Sequence, residues 1–151
     1  MESVFTPQWL ERFVAHARTA PWVGQGLKLP EYFDAVDQMG AAFGPALGLV
    51  STPVRLRVTD ATEAVRIDLE GGRPVAAHRV PVEMLAEVPM VVAGSPEAWR
   101  RVLDGDEDVA KAVMYRDLYL WQGDIHQFFR RIYFVVELLR LGQGLAAARS
   151  A

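Results

Sequence analysis

The feature that most constrains this chain is a change in the spacing of its apolar residues. Trp9, Leu10, Phe13, Val14 and Ala17 recur at helical intervals, and so do Phe33, Val36, Gly40, Phe43 and Leu47. From Val54 the period drops to two. Val54, Leu56 and Val58 alternate with Arg55, Arg57 and Thr59, and Val65, Ile67 and Leu69 alternate with Arg66, Asp68 and Glu70. A period of two belongs to a strand with one buried and one wet face, and a period of 3.6 to an amphipathic helix. The chain therefore has to combine a helical layer with a sheet, not form a bundle or a sandwich.

Turn and cap residues divide the rest. Thr6-Pro7 opens the first helix, and Pro30 the second, which Gly44-Pro45 ends or bends. Asp60-Ala61-Thr62 is short enough for a hairpin, with Arg55 and Arg57 placed across from Asp68 and Arg66. Gly71-Gly72 turns into a strand over Arg73 to Val80, and a continuous apolar strand is expected from Val88 to Ala93. Ser95-Pro96 caps a helix that stops at Gly105, and Asp106 caps the next. Tyr115 to Trp121 reads as the last strand, with Leu118 and Leu120 on one face and Asp117, Tyr119 and Trp121 on the other. Asp124 with Gln127 starts one final helix, whose wide apolar face runs through Ile125, Phe128, Phe129, Ile132, Val135, Val136 and Leu139. The expectation is an α+β domain over residues 1–151: a helical region over 1–50, then about five mainly antiparallel strands covered by helices on one face, and a frayed tail over 142–151.

Composition removes several functions. Of 151 residues 51% are hydrophobic, enough for a packed core. With no cysteine there is no disulfide, thiolate metal site or cysteine nucleophile. A net charge of −3 argues against nucleic acid as a partner. His16, His78 and His126 are scattered without metal spacing, and no phosphate loop, dinucleotide fingerprint or nucleophile elbow occurs, so neither metal nor cofactor is expected. The start has no basic and apolar leader, and the Ile132–Leu139 stretch, flanked by Arg130-Arg131 and interrupted by Glu137, is too short and charged to span a bilayer. A cytoplasmic location is expected.

From Val54 to about Leu139 the chain resembles the sterol carrier protein 2 family. The features that carry this are ordered: the Asp68-Leu69-Glu70-Gly71-Gly72-Arg73 turn, the Gly94-Ser95-Pro96-Glu97-Ala98-Trp99 helix start, the Leu103-Asp104-Gly105-Asp106-Glu107-Asp108 stop, and a strand closing on Gly123-Asp124 before an apolar helix. The resemblance implies an apolar tunnel between sheet and helices that carries a sterol, fatty acid or acyl-CoA-like ligand without catalysis, with a transient membrane or enzyme partner. Its lining would come from Ile67, Leu69, Trp99, Leu103, Val113, Leu118, Leu120, Phe128, Phe129, Ile132 and Val136. The final helix supports this independently, because its apolar face is wider than packing on one sheet requires. Two other readings remain open. One is a small enzyme acting on a hydrophobic substrate in the same pocket, with Asp117, Tyr119 or His126 as acid or base. The other is a docking module that uses the N-terminal helices.

Overall fold

The computed structural model describes residues 3–24, 29–53 and 61–145. Helix α1 (Pro7–Ala17) begins as the sequence predicts: the Thr6 hydroxyl accepts from the Trp9 amide at 3.1 Å, Pro7 stands in the first turn, and Trp9, Leu10, Phe13 and Ala17 are buried. Helix α2 (Pro30–Ala41) also starts on proline.

The first departure comes next. Helical spacing predicts that α2 carries its stripe on to Leu47, but the helix ends at Ala41 and the chain enters strand β1, Ala46–Ser51. Gly44, at φ 116°, makes the reversal. All six β1 residues are buried, so this strand is covered on both faces. Such a strand reads as an unbroken apolar run without period-two alternation, which spacing cannot tell from buried helix.

Strand β2 (Glu63–Glu70) and β3 (Arg73–Val80) form the expected antiparallel pair around Gly71 and Gly72, at φ 60° and 82°. Strand β4 is shorter than expected, Val91–Gly94, because pairing begins only past Pro89. Strand β5 is Leu118–Gln122 and not Tyr115–Trp121. Tyr115 closes helix α4 (Val109–Met114), and Arg116 turns the chain at φ 63°. The order is β3-β2-β1-β4-β5, with β1 antiparallel to β2, parallel to β4, and β4 antiparallel to β5. The sheet is thus mixed but mostly antiparallel. The strand expected over 54–59, its hairpin turn at Asp60, and the partners Arg55 and Arg57 lie outside the described residues; Arg66 instead pairs with Asp68 on its own strand at 2.7 Å.

Helices α3 (Pro96–Leu103), α5 (Ile125–Arg130) and α6 (Ile132–Arg140) complete the fold. The single final helix expected from the sequence is broken at Arg131, whose backbone sits at φ −114°, ψ 17°. Residues of all six helices share one cluster with Leu47, Leu49, Val65, Ile67, Val92 and Leu118 on one sheet face. The opposite face holds a smaller cluster of Ala46, Val50, Ala64, Val91 and Ala93 under Leu85 and Val88. The expectation of helices on one face agrees with this layering. Residues 142–145, expected as part of a frayed tail, are held: the Trp9 indole N–H donates to the Gly142 carbonyl at 3.0 Å, and Gln143 donates to the Val102 and Glu107 carbonyls at 2.9 Å each. Residues 146–151 lie outside the described set.

The β2–β3 turn also packs against α2. A Cβ at Gly72 would lie 2.7 Å from the Gly40 Cα, whereas one at Gly71 would meet nothing within 4 Å. Both positions have positive φ, so alanine at either carries backbone strain of about 1 kcal/mol. Only Gly72→Ala adds a clash with backbone, raising its cost to about 3 kcal/mol. Denaturant unfolding of the two variants is expected to give that ranking; equal losses would contradict the close approach.

Candidate functional site

The sheet ends at β5, and the helical layer does not close against this edge. Helix α5 is short and buries only Phe128, while Leu118 and Leu120 face it from the strand. The result is a cavity of about 970 Å³ bounded by α4, β5, α5 and α6, with Gly24, Leu29 and Tyr32 completing its wall. Val113, Leu118, Leu120, Phe128, Ile132 and Val136 supply apolar surface. Leu29, Met114, Ile125, Phe129 and Tyr133 stand at its rim exposed to solvent, Met114 by 73% and Phe129 by 60%.

An enclosed tunnel is not shown: among the described residues the cavity is open at its mouth, where Leu29, Met114, Ile125, Phe129 and Tyr133 stand exposed. Of the residues expected to line it, Val113, Leu118, Leu120, Phe128, Phe129, Ile132 and Val136 do. Ile67, Leu69, Trp99 and Leu103 lie in the packed core. Trp99 is fully buried, and its indole N–H donates to the Val50 carbonyl at 2.8 Å, which ties α3 to the central strand.

Sequence reasoning noted Glu137 only as an interruption of an apolar run. In the structure it has 0% exposure in the middle of α6. Its carboxylate accepts from the Gly24 amide at 3.1 Å, the Tyr32 hydroxyl at 2.5 Å and the Arg140 guanidinium at 2.6 Å. Arg140 also donates to Asp108 at 3.1 and 3.3 Å. Gly24, Tyr32 and Arg140 all border the cavity, so the network supplies polar groups to its wall. Burial, and next the bond to Glu137, push the Tyr32 phenol well above its ordinary range. Burial opposes the charge on Arg140, but Asp108 and Glu137 outweigh it and hold the guanidinium more firmly protonated than usual. The available signal was a lone carboxylate three residues before an arginine inside a run of Val and Leu, because a buried charge has to be paired.

The candidate acid–base residues are not brought together. His126 is exposed in the first turn of α5, whose cap is Asp124: the carboxylate accepts from the His126 and Gln127 amides at 2.8 and 3.1 Å. Those bonds, led by Gln127, hold Asp124 below the usual carboxylate range. Asp117 is 38% exposed with Arg101 at 3.9 Å. Tyr119 borders the cavity but packs with Trp121 against the cluster on the opposite sheet face. His78 is exposed on β3. Among the described residues, no group of three or more metal-type ligands occurs and no helix is long and apolar enough to cross a membrane.

Removing one member of a buried ion pair leaves its partner uncompensated, at a cost of about 3–5 kcal/mol. Glu137→Ala is expected to lose that much in denaturant unfolding; a loss below about 1 kcal/mol would show that the pairing contributes no more than a surface one. The Tyr32 phenol, raised in the folded state, stabilises fully below its unfolded pKa near 10 and loses that contribution as pH rises further. Wild type should therefore lose stability above about pH 10 more steeply than Tyr32→Phe. Parallel profiles would contradict the bond to Glu137.

No family model matches the chain, and no curated protein matches it. Solved structures do. A crystal structure of sterol carrier protein 2 superposes with a TM-score of 0.67 at 21% identity, over 93% of this chain and 98% of that one. A conserved hypothetical protein from Thermus thermophilus, described as a candidate sterol carrier protein, superposes with a TM-score of 0.64 at 21% identity, over 93% and 88% of the two chains. Together with the strand order and the layering, these likenesses show that the chain has the sterol carrier protein 2 fold.

Proposed function

We propose that this protein binds a sterol, a fatty acyl chain or a similar elongated apolar lipid in the cavity at the β5 edge, and carries it without altering it chemically. The observation that carries the reading is the 970 Å³ cavity walled by Val113, Leu118, Leu120, Phe128, Ile132 and Val136. Its size falls within the range of about 300–1,000 Å³ typical of small-molecule sites. Burying about 400 Å² of lipid contributes about 10 kcal/mol gross at about 25 cal/mol/Å². Association and ordering costs of several kcal/mol leave micromolar affinity within reach. The fold, shared with a protein named sterol carrier protein 2, supports the same reading.

Two polar groups of the wall, Tyr32 and Arg140, favour a carrier over an enzyme. Tyr32 already donates to Glu137 and resists ionisation, and Arg140 is bound to two carboxylates. Neither offers a proton acceptor near neutral pH.

Filling the cavity from within tests the proposal. Ala110 borders it from α4, so Ala110→Trp is expected to weaken binding of a fluorescent fatty acid or sterol analogue by about tenfold or more, a loss of about 1.4 kcal/mol. Val113→Trp serves if Ala110→Trp does not fold. Unchanged affinity in a folded cavity-filling variant would place the ligand elsewhere.

A further inference from the structure

Helix α5 has two working faces. Ile125, Phe128 and Phe129 border the apolar cavity. Gln127, Arg130 and Arg131 line a second, separate groove of about 330 Å³, whose other wall is Gln38, Met39 and Ala42 at the C-terminal end of α2. None of these six residues is acidic, in a chain of 16 basic and 19 acidic residues. Arg66, Arg79, Arg101 and Arg140 each pair with a carboxylate, whereas among the described residues Arg130 and Arg131 form no ion pair. Asp34, Asp37 and Asp124 on or beside the two helices stand outside the lining. Of these, Asp37 accepts from the Trp22 indole and Asp124 from two backbone amides. Gln127 is turned to donate: its Oε1 accepts from the Arg131 guanidinium, so its Nε2 amide is the end left for a ligand. The backbone carbonyls of Gln38 and Gln127 are taken by the capping amides of Ala42 and Arg131, which lessens the negative character of the two helix ends.

We infer that this groove binds a phosphate group, free or as a small phosphate monoester, and that the bound anion ties α5 to α2 on the side away from the cavity. Two guanidiniums offset the roughly two negative charges that such a group carries at neutral pH. Guanidinium forks and amide N–H groups are the donors its oxygens take up best. A volume of about 330 Å³ stands at the small end of ligand sites, which span about 300–1,000 Å³, and suits a small ester. A polyanion such as nucleic acid fits less well, because the chain as a whole carries a net charge of −3. The site does not depend on what occupies the cavity.

The test is NMR titration of the full, nitrogen-15-labelled chain with inorganic phosphate and, separately, with glycerol phosphate. Saturable shifts are expected at the backbone amides of Gln38, Gln127, Arg130 and Arg131, with an affinity that falls as salt rises. Tighter binding of glycerol phosphate assigns the groove to an ester, and equal binding assigns it to the free ion. Arg130 is exposed, so Arg130→Glu is expected to leave the unfolding midpoint without phosphate unchanged. It is expected to weaken binding of both probes by about tenfold or more, and Gln38→Ala to weaken it less. Arg130→Gln serves if Arg130→Glu does not fold. No saturable shift with either probe overturns the proposal. So do shifts centred on other surface arginines, the same shifts with chloride at equal concentration, or equal affinity in wild type and a folded Arg130 variant.

Discussion

A carboxylate with no exposed surface sits in the middle of α6, and the helical layer is arranged around what it needs. An unpaired buried charge would cost several kcal/mol, so Glu137 requires donors from several directions. It gets them from Arg140 one turn along the same helix, from Tyr32 on α2, and from the Gly24 amide. Arg140 reaches on to Asp108 at the cap of α4. One carboxylate thereby fixes α6 relative to α2, α4 and the chain before α2. With Phe134, Val135, Val136, Leu138 and Leu139 buried around it, α6 is enclosed from Phe134 to Leu139, where a surface helix would show one wet side, and Tyr133 in its first turn stands exposed. A wholly apolar α6 could slide or rotate among its neighbours; a charge that must meet three donors cannot.

The hollow follows from how this anchored helix meets the edge of the sheet. Leu118 and Leu120 on β5 face the helical layer, but the element nearest them is the short α5, detached from α6 at Arg131. The break lets α6 stay in the core while α5 stands outward with Ile125 and Phe129 exposed. Hollow interiors lose packing contacts in proportion to their size, so the rest of the domain is packed tightly. Trp9 stacks on Phe13 at 5.0 Å, Phe5 meets Trp99 edge-on at 5.2 Å, and Arg73 lies 3.9 Å over the Trp22 ring while donating to the Ala17 and Ala20 carbonyls. The apolar wall and three members of the polar network, Gly24, Tyr32 and Arg140, border one cavity.

How much of this was legible in the sequence differs by element. Most caps were readable because they are local: Thr6, Ser95 and Asp124 each accept from amides two or three residues on, but α4 is capped by Asp108 and not by the expected Asp106. The Gly71-Gly72 turn was readable for the same reason. Strand β1 was not, since a strand buried on both faces has no alternation to detect. The break at Arg131 was also hidden, because Ile125, Phe128, Ile132 and Val135 fit one continuous stripe. At the site, the α4, β5, α5 and α6 contributions followed from facing apolar positions. Ile67, Leu69, Trp99 and Leu103 are equally apolar and lie in solid core. Whether an apolar side chain meets a neighbour or a void depends on tertiary distance, which spacing does not encode. The Glu137 network was missed because its donors lie 105 and 113 residues away in Tyr32 and Gly24.

The central claim is that the space at the β5 edge is where an apolar molecule resides. Isotope-edited NMR with a carbon-13-labelled fatty acid tests it most directly. Through-space contacts are expected from the ligand chain to the methyl groups of Val113, Leu118, Leu120, Ile132 and Val136. Contacts confined to Val88 and Val91 on the opposite sheet face, or no contacts to any methyl group in a folded sample, would contradict it.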